Sequence, residues 1–349
     1  MNRSRASSLL ATARRADGAE SRLDRLGNPF APSVQVFDAL SNADGLIGLD
    51  GPDDARLRSR VARHLGVQEE RLIFANGMDE LIDMVLLWRR NAGPVVLFPP
   101  TDDDQRRLVT RHAIEIIQHR RLSATDLYLG ADPAQTRPAP LTAIVQSPND
   151  PTGSLLAPAD AVRLARTHEI VLIDERHGAY AARDLLRVAQ EFDNVIVARS
   201  FETWAGLAGL PFAYAIAPKR VVAELQAFAR PSGIAAGAAI AALATLDDLT
   251  YMQATVRRVR EERTRLWRML RKLNMLSVPY PTSANFVLAR IERGDAAFFQ
   301  RELARRGILV HRPSDPDLRE NHLRISATTP EQTGALKHAL IEIAAANLG

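Results

Sequence analysis

There is no cysteine among the 349 residues, which excludes disulfides and thiolate chemistry and leaves the redox compartment unconstrained. Lysine is nearly as scarce. Lys219, Lys272 and Lys337 are the only three, and every other basic side chain apart from histidine is arginine. Any chemistry that needs a lysine amine therefore has three candidates. No apolar run approaches the roughly 18–20 residues that span a bilayer. Residues 1–22 are rich in Arg, Ser and Ala and lack the apolar core of a secretory signal, so they read as an N-terminal arm, and a cytoplasmic location is expected. Aromatic residues are only 5% of the chain, and the net charge of +4 is spread without a basic tract. Neither nucleic acid nor a membrane is an expected partner.

What is present describes an ordinary globular chain: 46% hydrophobic and 25% charged residues. Short apolar runs at 95–98, 143–146, 170–173, 195–198 and 213–217 suit buried parallel strands. They alternate with amphipathic stretches at 55–65, 78–88 and 158–167, the first stopped by Gly66 and the second opened by Asn76-Gly77. This alternation predicts an α/β domain over 23–231, a mostly parallel mixed sheet flanked by helices. After Pro231 the texture changes. Helical stretches at 233–246 and 250–273 lead to isolated strands at 284–290, 308–311 and 323–326, a helix at 295–306 and a terminal helix from Pro330. Residues 232–349 therefore read as a long connecting helix and a smaller α+β domain.

Six segments stand out against this background: Asn76-Gly77-Met78-Asp79-Glu80, Ser147-Pro148-Asn149-Asp150-Pro151-Thr152-Gly153, Val171-Leu172-Ile173-Asp174-Glu175, Ala198 to Leu210 ending Gly206-Leu207-Ala208-Gly209-Leu210, Ser283-Ala284-Asn285-Phe286, and Leu323-Arg324-Ile325-Ser326. In this order and spacing they resemble the motifs of fold-type I pyridoxal-phosphate (PLP) aminotransferases, nearest to the histidinol-phosphate aminotransferase branch. The resemblance runs from about Leu23 to Ile343. It implies that the backbone at Gly77 and Met78 cradles the cofactor phosphate, using the positive end of a helix. It also implies that Asp174 pairs with the protonated pyridine nitrogen, and that Arg324, with Asn285 beside it in the same small-domain signatures, meets the substrate carboxylate.

Other positions depart from that pattern. Thr203 stands where the family carries the lysine that forms the Schiff base, and a threonine cannot form an imine. Glu202 replaces a phosphate-binding hydroxyl, and Pro211 an arginine that neutralises the phosphate. Asp150 replaces a donor to the cofactor's phenolic oxygen, and an ionised carboxylate only accepts. Asp102 falls where an aromatic stacks on the ring, and His177 replaces a tyrosine. The phosphate cup thus shifts by two charge units, and unit charges about 4 Å apart interact by roughly 4 kcal/mol at an effective dielectric of about 20. Helix-end contributions of about 0.3–1 kcal/mol each do not offset that.

The expectation is a member of this family that binds no cofactor tightly, with PLP or pyridoxamine phosphate relevant only if the family activity survives. It would act as a binding or partner subunit, as a homodimer or as a heterodimer with an aminotransferase paralogue, with a small-molecule ligand possible. One alternative is a PLP-independent enzyme whose acidic cleft (Asp102, Asp150, Asp174 and Glu202, with His177) holds a cationic ligand or a divalent metal, although no metal-binding motif is present. Another is residual transamination of an amino acid or amino-phosphate with non-covalent cofactor. Several side chains carry a second reading. Asp102 can open a helix near Asp104, His177 can be a structural histidine, Arg324 can be an interdomain ion-pair partner, and Trp204 can fill the space of the missing lysine or the cofactor ring.

Overall fold

The computed structural model describes residues 20–42, 54–121 and 140–347. Of the arm expected over 1–22, residues 1–19 lie outside this description. In chain order the elements are β1 (Ser21–Arg22), α1 (Val34–Ser41), α2 (Asp54–Leu65), β2 (Leu72–Ala75), α3 (Met78–Arg89), β3 (Val95–Leu97), α4 (Asp103–Arg111), β4 (Ile116–Gln118), β5 (Thr142–Gln146), α5 (Pro158–Thr167), β6 (Ile170–Asp174), α6 (Leu186–Glu191), β7 (Val195–Ser200), β8 (Ala213–Ile216) and α7 (Lys219–Leu225). The second half adds α8 (Ala236–Asp247), α9 (Leu249–Leu270), β9 (Leu276–Ser277), β10 (Phe286–Ile291), α10 (Ala296–Arg305), β11 (Ile308–Leu309), β12 (His322–Ser326) and α11 (Pro330–Asn347).

The main sheet has seven strands in the order β2-β8-β7-β6-β5-β3-β4. Only β8 runs against its neighbours, pairing antiparallel with both β2 and β7; the pairs from β7 through β4 are parallel. Both faces are covered. Ile144, Leu172 and Ile196 pack with α3 in one core, while Val145, Ile173 and Val197 pack with α5 and α6 residues in another. Burial on both sides is why these strands are continuous Val/Ile/Leu runs rather than alternating ones. A three-stranded antiparallel sheet, β12-β10-β9, forms the core of the second unit with α9, α10 and α11. Ser21–Arg22 pairs in parallel with Ile308–Leu309, and Leu23 is buried in that same second core.

The α/β architecture and the alternation of elements match the sequence reading. The two-residue strands β1 and β9 were not anticipated, nor were two strands of the main sheet, β2 and β4. Strand β2 is a four-residue apolar run directly after Glu69-Glu70-Arg71. Strand β4 is a sheet edge whose residues are only partly buried. Helix α8 begins three residues later than expected because Gly233 adopts a left-handed φ of +65°, which closes a turn instead of opening a helix.

Candidate active-site cleft

The segments that follow β5, β6 and β7 meet the N-terminus of α4, residues of 22–31 and the second unit around a cavity of about 890 Å³. Crevices at carboxyl ends of parallel strands are where open α/β sheets bind ligands. Asp102, Asp150, Arg176, His177, Glu202, Thr203 and Arg324 all line it.

Helix α3 opens at Gly77, whose φ of +98° favours glycine. A Cβ there would lie 2.8 Å from Glu202 Oε1 and 2.9 Å from Pro211 Cβ, so the backbone and these two side chains fit only without one. The Met78 N–H donates to Glu202 Oε1 at 2.9 Å. Gly77 and Met78 are thus at the helix end, as expected, and the carboxylate of Glu202 lies directly on the Met78 amide. Burial pushes the Glu202 carboxyl above its usual range, opposed by this hydrogen bond and by Arg176.

Asp174 ends β6 with no exposed surface. Its Oδ1 accepts the Arg176 N–H at 2.9 Å, and its Oδ2 accepts Arg176 Nε at 2.8 Å and Gln105 Nε2 at 3.1 Å. Burial raises the Asp174 pKa and Arg176 opposes the rise. Burial works against the Arg176 charge, but Asp174, Asp102, Asp79 and Glu202 outweigh it and raise its pKa. Asp102 caps α4, accepting the Asp104 N–H at 2.9 Å, and its other oxygen is 3.5 Å from Arg176 Nη1. The reading of Asp102 as a helix opener and as a cleft residue are therefore both met. Thr203 Oγ1 donates to the Arg176 carbonyl at 2.8 Å.

On the other wall, Asp150 and Arg324 form a buried ion pair. Arg324 also donates to the Asp24 carbonyl at 2.9 Å and lies 5.5 Å from the Phe286 ring, so it bridges the two units. Burial raises the Asp150 pKa and Arg324 opposes it. Asn285 donates through Nδ2 to the Leu26 carbonyl at 2.5 Å, holding the N-terminal segment. His177 is fully buried, edge-on to Phe286 at 5.7 Å, and neither ring nitrogen has a hydrogen-bond partner among the described residues. Burial, with Arg176 and Arg324 nearby, holds its pKa well below 6.5, so the ring is neutral at neutral pH.

Two expectations require correction, the acidic cleft and the place of Trp204, and one site residue was missed. The cleft is not a set of free carboxylates: Asp150 is paired with Arg324, Asp174 with Arg176 and Gln105, Asp102 with the α4 amide and Arg176, and Glu202 with the Met78 amide. Arg176, the residue that ties most of them together, was missed, although its position two residues beyond the strand-ending Asp174 was a readable signal. Trp204 does not fill the cleft. Its Nε1 donates to the Ser200 carbonyl at 2.8 Å, its ring packs 5.0 Å from Phe201, and it lines a separate cavity of about 410 Å³. Its bulk completes the aromatic packing behind β7. The lysines are elsewhere: Lys219 is exposed beside Glu70, and Lys272 and Lys337 line a groove between α9 and α11.

Residues 37–340 match the family "Aminotransferase class I and II". The chain is 33% identical over 333 residues to the histidinol-phosphate aminotransferase of Roseiflexus castenholzii, covering 93% of this chain and 89% of that protein. It is 30% identical to that of Dehalococcoides mccartyi, covering 92% and 90%. Among solved structures, the histidinol-phosphate aminotransferase of Sinorhizobium meliloti in complex with pyridoxal 5′-phosphate superposes with a TM-score of 0.85 at 22% identity, covering 96% of this chain and 94% of that one. The enzyme from Clostridium acetobutylicum gives 0.83 at 17% identity, covering 92% and 98%. These two share the fold. With the sequence match over nearly its whole length, the chain belongs to the class I and II aminotransferase family and is histidinol-phosphate aminotransferase-like.

Proposed function

We propose that this chain does not transaminate and serves as a binding or partner subunit built on the aminotransferase scaffold. The observation that carries the reading is at position 203. Where the family resemblance puts an amine, a threonine donates its hydroxyl to the Arg176 carbonyl, and none of the three lysines lines the cleft.

The remaining residues do not fit pyridoxal phosphate. The helix-end amide that would receive a phosphate oxygen is held by Glu202, and Pro211 beside it brings no positive charge. The carboxylate that would face a pyridinium is held by Arg176. Asp150 faces Arg324 and brings no donor. The residues themselves can hold charge and order: Arg324 ties the two units together, and Arg176 fixes the ends of β6 and α4.

Assembly as a homodimer, or with an aminotransferase paralogue, and a cytoplasmic location belong to the same proposal. The histidinol-phosphate aminotransferases it resembles supply the natural candidate substrate for testing it. The protein, incubated with pyridoxal phosphate and gel-filtered, is mixed with histidinol phosphate or glutamate while the visible spectrum is followed. No retained coenzyme absorbance and no conversion to the amine form are expected. Conversion at a rate above that of free coenzyme overturns the proposal.

A further inference from the structure

A helix N-terminus offers unpaired amides and positive potential, and these bind anions. Helix α3 has twelve residues, enough for a full end effect, and its first amide is already taken by an anion supplied by the chain. Glu202 comes from the loop after β7, 124 positions away, and accepts from Met78 N at 2.9 Å. Gly77 makes room for it, since a Cβ at that position would lie 2.8 Å from the same oxygen. The second observation is independent of the helix. Arg176 forms ion pairs with Asp174 and Asp102, and Asp79 and Glu202 also lie near enough to favour its charge. Arg176 also bonds Asp174 through both its backbone N–H and Nε. Arg176 Nη2 has no hydrogen-bond partner among the described residues, but apart from Arg176 the charges acting on Glu202 are the carboxylates Asp79 and Asp174.

We infer that Glu202 is a specificity-determining residue: it occupies the anion site at the start of α3 and makes the floor of the cleft exclude phosphate and phosphate esters. The inference rests on the non-transaminating reading above, but it concerns phosphate alone and needs neither a coenzyme ring nor a lysine. An oxyanion can reach the Met78 amide only by displacing Glu202 while remaining next to its charge. Arg176 offers only its unpaired Nη2, and its charge is already offset by Asp174 and Asp102.

Three full-length proteins test it: wild type, Glu202→Ser and Glu202→Gln. The probe is inorganic phosphate at matched ionic strength against chloride, read by thermal shift and by hydrogen exchange of the Met78 amide. Wild type should show a protected Met78 amide and no phosphate-specific shift. Glu202→Ser should lose protection about tenfold, as expected for loss of one hydrogen bond to a charged acceptor. It should recover protection in phosphate and bind phosphate at least about tenfold more tightly once the adjacent like charge is gone. Glu202→Gln, which keeps an acceptor oxygen but carries no charge, should retain Met78 protection and respond to phosphate more than wild type and less than Glu202→Ser, which separates loss of the plug from loss of folding. Phosphate stabilising wild type as much as Glu202→Ser, or Glu202→Ser showing unchanged Met78 protection or no phosphate response, overturns the inference. None of these outcomes bears on whether the protein transaminates.

Discussion

Arg176 follows Asp174 by two residues and bonds its carboxylate twice, through the backbone N–H at 2.9 Å and Nε at 2.8 Å. A strand-ending aspartate with no exposed surface thus has its cation supplied by its own turn, independently of any ligand. Burial of an ion pair is costly, and removing one partner is costlier, because the other charge remains.

Arg176→Ala should therefore destabilise the fold by about 3–5 kcal/mol at neutral pH, measured by urea unfolding. The loss should shrink in acid. Burial raises the folded-state pKa of Asp174, so its contribution is fully present below the ordinary aspartate range and is lost as pH rises through the folded value. Without Arg176 that value rises further, and the penalty should vanish once Asp174 is protonated.

Asp150 and Arg324 are both buried and connect the two units. Asp150→Asn alone should cost about 3–5 kcal/mol by stranding the guanidinium, whereas Asp150→Asn with Arg324→Met should cost less than the sum of the single changes. A double-mutant cycle on chemical unfolding measures the coupling.

His177 has the opposite sign from the carboxylates. Its folded pKa lies well below 6.5, so the stability linked to its neutral form is present above the unfolded value and is lost as pH falls towards the folded one. His177→Phe, which keeps a ring against Phe286, should flatten the stability-versus-pH curve between pH 5 and 6 by up to about 1.4 kcal/mol per pH unit. The change of slope is the readout, since the larger ring also alters packing.

Gly77→Ala combines a φ of +98° with a Cβ 2.8 Å from Glu202 Oε1. It should cost about 1–3 kcal/mol. Adding Glu202→Ser should recover only part of this, because the close contact is relieved and the backbone strain is not. Thermal unfolding of the three variants separates the two contributions.

The fold was legible because burial on both sheet faces writes itself as runs such as Ile170 to Ile173, and because Gly66 and Gly77 mark a helix end and a helix start. Strand β2 was missed because charged residues crowd its start, and β4 because an edge strand is only half-buried. Within the site, Asp150, Glu202, Arg324 and His177 do line one cleft, and Asp174 lies buried behind it, bonded to Arg176. Their pairings were not legible, because they depend on where the side chains of loops distant in sequence end up. Glu202 reaches Met78 across 124 positions and Arg324 reaches Asp150 across 174. Trp204 was misplaced for a related reason: adjacent to Thr203 in sequence, it points behind β7.

The account depends most on the absence of an amine that can capture the coenzyme. Protein saturated with pyridoxal phosphate, reduced with borohydride and analysed by intact mass and peptide mapping tests this directly. The expected result is an unmodified chain, with at most trace labelling of surface-exposed Lys219. Stoichiometric attachment of one phosphopyridoxyl group to a single lysine, blocked by a substrate amine, would contradict it.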